Sequence, residues 1–156
     1  MHRCRTKTVA AARVALMRAS AAPVDFGPTL RWVLETVWKR LSSLERVTVG
    51  PAVARYLAVS ESLIEFEAGF PVAEELPPIA EIHLGQLPGG AAATTLHEGS
   101  YDGLPEAYAA LETWMAEQGH EPDGAPYDIY WVDAGQADAE SQLRTEVVWP
   151  VRAAPG

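Results

Sequence analysis

The chain has 156 residues, of which 48% are hydrophobic and 21% are charged. This composition suits one folded domain, or two small halves that share a core, and it excludes an intrinsically disordered chain. No apolar run approaches the roughly 18 residues that a membrane span needs, and Arg13 and Arg18 interrupt the segment that a signal peptide would need. We therefore expect a cytoplasmic protein without a membrane segment. Cys4 is the only cysteine, which excludes an intrachain disulfide.

Charge is distributed unevenly along the chain. Residues 1–55 carry ten Lys or Arg and three Asp or Glu, whereas residues 56–143 carry seventeen Asp or Glu and no Lys or Arg. An acidic stretch of this kind keeps a protein soluble, repels nucleic-acid phosphates and attracts cations. We therefore expect no direct binding to nucleic acid.

The first half of the chain predicts a strand, a helix and two more strands. Residues 8–20 are apolar with scattered Arg and indicate an opening strand. Pro28 suits the first turn of a helix, and residues 52–59 and 63–72 indicate two strands joined by a tight turn. The helix is predicted from one apolar stripe at helical spacing: Leu30, Val33, Leu34, Val37, Leu41 and Leu44.

The second half repeats this order after an acidic, proline-rich linker at residues 74–78. Strand material at residues 79–87 and 91–96 precedes a second helix, which begins near Pro105 and is capped by Gly119. Residues 127–133 and 143–151 indicate the last two strands, joined by a polar loop at residues 134–142.

The two halves are similar enough to indicate duplication. The segments Glu67–Val72 and Glu146–Val151 share a Glu-x-x-aromatic-Pro-Val pattern, and their separation along the chain nearly equals that of Pro28 from Pro105. One helix and three strands are too few to bury their own apolar faces. We therefore predict a single α+β domain over residues 1–156, with repeats at about 7–73 and 79–152 and a groove along their seam.

Several short segments of the second half resemble the GyrI-like family, also known as the AraC-type effector-binding domain. The segments are Leu87-Pro88-Gly89-Gly90, His97-Glu98-Gly99-Ser100-Tyr101, the helix with Tyr108, Leu111 and Trp114, Pro126 to Tyr130, and Thr145 to Val151. The resemblance runs from about Lys7 to Val151. It implies duplicated strand-helix-strand-strand units with antiparallel sheets, related by a pseudo-twofold axis as in SHS2-like folds, and a central ligand cleft lined by aromatic residues and a carboxylate.

The family also implies a choice of functions. Members bind drugs or metabolites behind the DNA-binding domains of regulators, or act alone as gyrase inhibitors or small-molecule-binding proteins. A subset resembles hydrolases of cyclopropane-bearing toxins. Since no helix-turn-helix precedes the domain, we expect a stand-alone member. One departure is that Asp128 stands where many members carry a ligand-facing Glu.

The candidate ligand-binding residues are two carboxylates with nearby aromatics and one histidine. A carboxylate near aromatic rings is what a lipophilic cation requires. Strand alternation places Asp128 and Tyr130 on one face and Trp131 on the other. Glu146 is expected to be paired, exposed or functional, since an unpartnered buried carboxylate is costly. The remaining candidates are Tyr101, Tyr108, Trp114 and His83, and each of these aromatics also suits a core position.

The sequence favours a binding module over an enzyme. It contains no histidine pair at metal-ligand spacing, no nucleophile elbow and no phosphate loop, so no metal, cofactor or catalytic residue is predicted. The first hypothesis is a domain that binds a cationic or aromatic small molecule, in transcription regulation or drug sequestration. The alternatives are a hydrolase of cyclopropane-type electrophiles and a protein that binds gyrase or a regulator.

Overall fold

The chain divides into two compact units, each built from antiparallel strands and one long helix. A computed structural model describes residues 2–132 and 139–153. The first unit is Ala11–Leu87, and the second is Met1–Ala10 with Pro88–Gly156. Within the described residues the helices are α1 (Phe26–Ser42) and α2 (Leu104–Glu117). The strands are β1 (Cys4–Val9), β2 (Ala12–Ala21), β3 (Ala52–Val59), β4 (Ile64–Val72), β5 (His83–Leu87), β6 (Gly90–Glu98), β7 (His120–Pro122), β8 (Tyr127–Val132) and β9 (Arg144–Ala153).

The first unit orders its strands β3-β4-β2-β5, and α1 packs on one face. A 3-10 turn at Pro23–Asp25 runs directly into α1, which begins at Phe26, so Pro28 lies in the first turn of the helix as predicted. The apolar stripe of the helix is confirmed as far as Leu41, whereas Leu44, which is also predicted to belong to it, lies beyond the helix end at Ser42. Burial removes the stripe from water and so stabilises the unit. Its buried members are Leu30, Val33, Leu34, Val37 and Leu41.

The second unit orders its strands β1-β6-β9-β8, and β7 also pairs with β9. The helix α2 covers this sheet through Leu104, Ala107, Leu111 and Met115, which pack with Val147 of β9. Gly119 has φ +75° just after α2, as a C-terminal capping residue requires.

The predicted opening strand at residues 8–20 is confirmed for residues 12–20, but residues 8 and 9 belong to a different strand. Cys4–Val9 and Ala12–Ala21 are separate strands, and the first pairs with β6 rather than with its chain neighbour β2. Correspondingly, β5 precedes β6 in the chain but pairs with β2. The sequence gives no break signal here, because residues 10–12 are all alanine and the pairing is distant in the chain.

The strand-helix-strand-strand order occurs twice, as β2-α1-β3-β4 and as β6-α2-β8-β9. The similarity extends to a shift in strand register, between Tyr56 and Ala58 in the first unit and between Tyr130 and Val132 in the second. Tyr56 pairs with Phe66 and Tyr130 with Thr145, and each of these partners directly precedes the glutamate of the repeated pattern. The duplication therefore includes a local irregularity of the backbone at the equivalent position of each unit.

The predicted loop at residues 134–142, and the predicted end of a strand at residue 133, lie largely outside the described residues. Among the described helices, none combines the length and apolar character needed to cross a membrane.

The close approach of β2 and β4 at Gly69 gives a test of the fold. A Cβ at this position would lie 1.8 Å from the carbonyl oxygen of Ala15, which is backbone and has no space to move. We expect Gly69→Ala to lower the free energy of unfolding by about 3 kcal/mol, the upper end of overpacking costs. Urea denaturation measures it. The control is Gly50→Ala, where the Cβ makes ordinary contacts with Pro71 and the change stays within about 1 kcal/mol. Equal losses of stability in Gly69→Ala and Gly50→Ala would contradict the register of β2 against β4.

Candidate functional site

The side chain of Asp128 is fully buried in the second unit and is held by two tyrosines. Asp128 and Tyr130 alternate along β8 on the face that α2 covers, and Tyr108 projects from α2. The hydroxyl of Tyr108 donates to Asp128 Oδ1 at 2.5 Å, and that of Tyr130 donates to Oδ2 at 3.0 Å. Asp128 is 0% exposed. Hydrogen bonds of this kind stabilise the ionised carboxylate.

Further aromatic rings surround these three residues. The ring of Tyr101 packs edge-on against Tyr130, with centroids 5.6 Å apart. The ring of Trp149 packs edge-on against Tyr108, with centroids 6.2 Å apart. We call Asp128, Tyr101, Tyr108, Tyr130 and Trp149 the Asp128 cluster. Trp149 is not among the residues predicted from the sequence, although its alternation with Thr145 and Val147 along β9 is a usable signal.

Glu146 lies on the opposite face of the same sheet and forms a second cluster. Lys7 Nζ lies 2.6 Å from its Oε2, Thr94 Oγ1 donates to Oε2 at 2.6 Å, and Trp131 Nε1 donates to Oε1 at 3.0 Å. Glu146 is 6% exposed, whereas about half of Trp131 is exposed. These four residues are the Glu146 cluster. Sequence reasoning misses Lys7 as a partner because it does not separate β1 from β2, and it misses Thr94 because the pairing of β6 with β9 joins distant parts of the chain.

The pKa of Glu146 reflects competition between burial and these donors. Burial disfavours the charged form, but hydrogen bonds from Lys7, Thr94 and Trp131 outweigh it, so the pKa lies below its ordinary value. Burial raises the pKa of the neighbouring Tyr127, and the Glu146 charge raises it further. Glu146 is therefore held as an anion by its own protein donors.

Glu67 is the repeat equivalent of Glu146 in the first unit, and it is also paired. Arg55 Nη2 lies 3.2 Å from its Oε1, and His83 Nδ1 lies 2.7 Å from its Oε2. Burial raises the pKa of Glu67, but the bonds from His83 and Arg55 outweigh burial and lower it. In both units the repeated glutamate binds a residue of the edge strand, Lys7 of β1 or His83 of β5.

The structure divides the eight predicted site residues among separate places. Tyr101, Tyr108, Asp128 and Tyr130 come together, whereas Glu146 and Trp131 meet on the other face of the sheet. Trp114 packs beside His120, with ring centroids 5.8 Å apart, and His83 belongs to the first unit. Across residues 2–132 and 139–153, no group of three His, Cys, Asp or Glu is placed to hold a metal ion.

The ion pair at Glu146 predicts a specific response to acid. Because its folded pKa is depressed, the stability that it contributes is present above the unfolded pKa, about 4.3, and is lost as the pH falls through the folded value. We therefore expect Glu146→Gln to lower the free energy of unfolding at pH 7. Below pH ~4.3, the free energy of unfolding of this variant should fall less steeply with pH than that of the wild type. Urea denaturation across this pH range measures both. Glu112→Gln, at an exposed position of α2, is the control and should retain the wild-type slope. An unchanged slope for Glu146→Gln would contradict the pairing.

Comparisons with known proteins agree with this fold. The C-terminal domain of EcmrR, solved in isolation, is 19% identical to this chain, with a TM-score of 0.86 and coverage of 99% of both chains. The EcmrR chain in a DNA complex has a TM-score of 0.87 at 19% identity. The match covers 98% of the present chain, which spans 58% of that longer protein.

A ligand-bound protein and a family model also match the chain. SAV2435, solved bound to tetraphenylphosphonium, has a TM-score of 0.63 at 9% identity, with coverage of 96% of this chain and 94% of that one. A family model described as the GyrI-like small molecule binding domain matches residues 2–152. This chain therefore belongs to the GyrI-like small-molecule-binding domain family.

Proposed function

We propose that the second unit binds a small aromatic or lipophilic cation beside Asp128. The observation that carries this proposal is the fully buried carboxylate that accepts hydrogen bonds from Tyr108 and Tyr130 among further aromatic rings. Such a site offers negative charge within an aromatic wall. This is the chemistry that a lipophilic cation requires.

The size of the charge effect favours a cation over a neutral ligand of the same shape. Two unit charges 4 Å apart attract by about 4 kcal/mol at an effective dielectric constant near 20. A cation over the face of Tyr108 or Trp149 gains about 0.5–2 kcal/mol more. A neutral molecule gains only from burial, so charge is expected to decide which ligands bind.

Access to Asp128 requires movement of a ring, because its side chain is fully buried. Tyr130 is 1% exposed and belongs to β8, whereas Tyr108 is partly exposed and belongs to α2. Tyr108 is therefore the gate of the site. A cation enters as the Tyr108 ring swings outward. The positive charge of the cation then replaces the hydrogen bond that Asp128 had accepted from Tyr108.

The relatives support this choice of ligand class. SAV2435 shares the fold and was solved with tetraphenylphosphonium, a lipophilic aromatic cation. EcmrR shares the fold and was solved in complex with DNA, which supports a link to transcription regulation. Ligand-responsive regulation and drug sequestration are the two uses we propose for the site.

Glu146 is assigned to the scaffold in this proposal. Three protein donors already engage its carboxylate, and one of them, Lys7, fastens β1 to the sheet. A lowered pKa also makes Glu146 a weaker general base, which disfavours hydrolysis through this residue. Asp128 is therefore the carboxylate that we assign to the ligand.

Removal of the Asp128 charge tests the proposal. We expect tetraphenylphosphonium to quench tryptophan fluorescence saturably, since Trp149 borders the site, and tetraphenylborate, its anionic counterpart of the same shape, to bind far more weakly. Asp128→Asn should weaken phosphonium binding at least tenfold, about 1.4 kcal/mol.

The matched control is Asp25→Asn, which removes the same charge at an exposed position of the first unit. It should leave phosphonium affinity unchanged. Equal binding of the two ions, or equal affinity in Asp128→Asn and the wild type, would overturn the proposal.

A further inference from the structure

Among the described residues, two buried hydrogen-bond donors lack a partner: Trp149 of the Asp128 cluster and Thr145 beside it. Within the part of the chain that the structure describes, neither Thr145 Oγ1 nor Trp149 Nε1 has a hydrogen-bond partner. Thr145 is 0% exposed. Most buried polar groups in proteins are hydrogen-bonded, so two such groups beside one carboxylate require an explanation.

The strand register places both donors on the same face as Asp128. Along β9, Val147 pairs directly with Asp128, and Thr145 pairs directly with Tyr130. Thr145 and Trp149 therefore flank Val147, each two positions and about 7 Å along the strand from it. Thr145 lies next to one of the tyrosines that hold Asp128, and the Trp149 ring packs against the other.

We propose that the ligand of the Asp128 cluster carries a hydrogen-bond acceptor as well as a positive charge. Thr145 donates to a carbonyl, ether or ring-nitrogen acceptor on one side of the cation, and Trp149 donates on the other side. The preferred ligand class is therefore a cationic heteroaromatic or a carbonyl-bearing aromatic cation, and a cation made of hydrocarbon rings alone binds more weakly. This inference rests on the proposed function and adds specificity to it.

Two cations of the same charge and similar shape test this inference. The probes are (4-acetylphenyl)triphenylphosphonium, which carries a carbonyl acceptor, and (4-isopropenylphenyl)triphenylphosphonium, which does not. We expect the wild type to bind the acetyl compound about tenfold more tightly, by tryptophan fluorescence titration. Thr145→Val, which keeps the shape of the side chain but removes the hydroxyl, should abolish this preference while still binding both cations. Thr145→Ser, which keeps the hydroxyl, should retain it.

The possible outcomes distinguish failure of this inference from failure of the proposed function. Equal affinity of the wild type for the two probes would overturn the acceptor inference and leave cation binding intact. A preference that survives in Thr145→Val would also overturn it. Binding of neither probe by the wild type would overturn the proposed function together with the inference.

The stability of the ligand-free variant gives an independent readout. Removal of a buried hydroxyl without a partner should stabilise the fold, so Thr145→Val should raise the melting temperature by about 2–4 °C. A lower melting temperature would show that the hydroxyl serves the structure instead, and would overturn the inference.

Discussion

The hydrogen bonds from Tyr108 and Tyr130 to the buried carboxylate of Asp128 are the interaction on which the proposed site depends. Burial of a carboxylate is costly unless donors compensate it, so β8 and α2 must be positioned together for this side chain to stay inside. The apolar stripe of α2 against Val147 provides that position. The packing of the helix and the geometry of the charged site are therefore consequences of one arrangement.

Duplication explains the scaffold but not the proposed site. Glu67 and Glu146 occupy equivalent places, and each binds the edge strand of its own unit. Ala68, which follows Glu67, pairs with Ala54, and Val147, which follows Glu146, pairs with Asp128. Ala54 therefore occupies in the first unit the position that Asp128 occupies in the second. The buried aspartate is thus a feature of one repeat. The repeated glutamates fasten the sheet in both units, while one differing residue gives the second unit its buried, tyrosine-bonded carboxyl group.

The sequence predicts those features that depend on local periodicity, but it does not predict which strands pair when they are far apart in the chain. The stripe of α1, the Gly119 cap and the repeated Glu-x-x-aromatic-Pro-Val ending are local patterns, and each predicted element is present. Periodicity does not show that β1 pairs with β6 and β5 with β2, nor that β6 pairs with β9, so Lys7 and Thr94 are not predicted as partners of Glu146. Alternation separates Asp128 from Trp131 correctly, but only the register shows which face α2 covers.

The central claim is that a cation binds at Asp128 as Tyr108 moves aside, and a crystal structure of the tetraphenylphosphonium complex tests it most directly. The predicted result is a phosphonium with its phenyl rings against Tyr108 and Trp149, the Asp128 carboxylate facing its charge, and the bond between Tyr108 and Asp128 broken. A phosphonium bound elsewhere, with Asp128 still buried and still hydrogen-bonded to Tyr108, would contradict it.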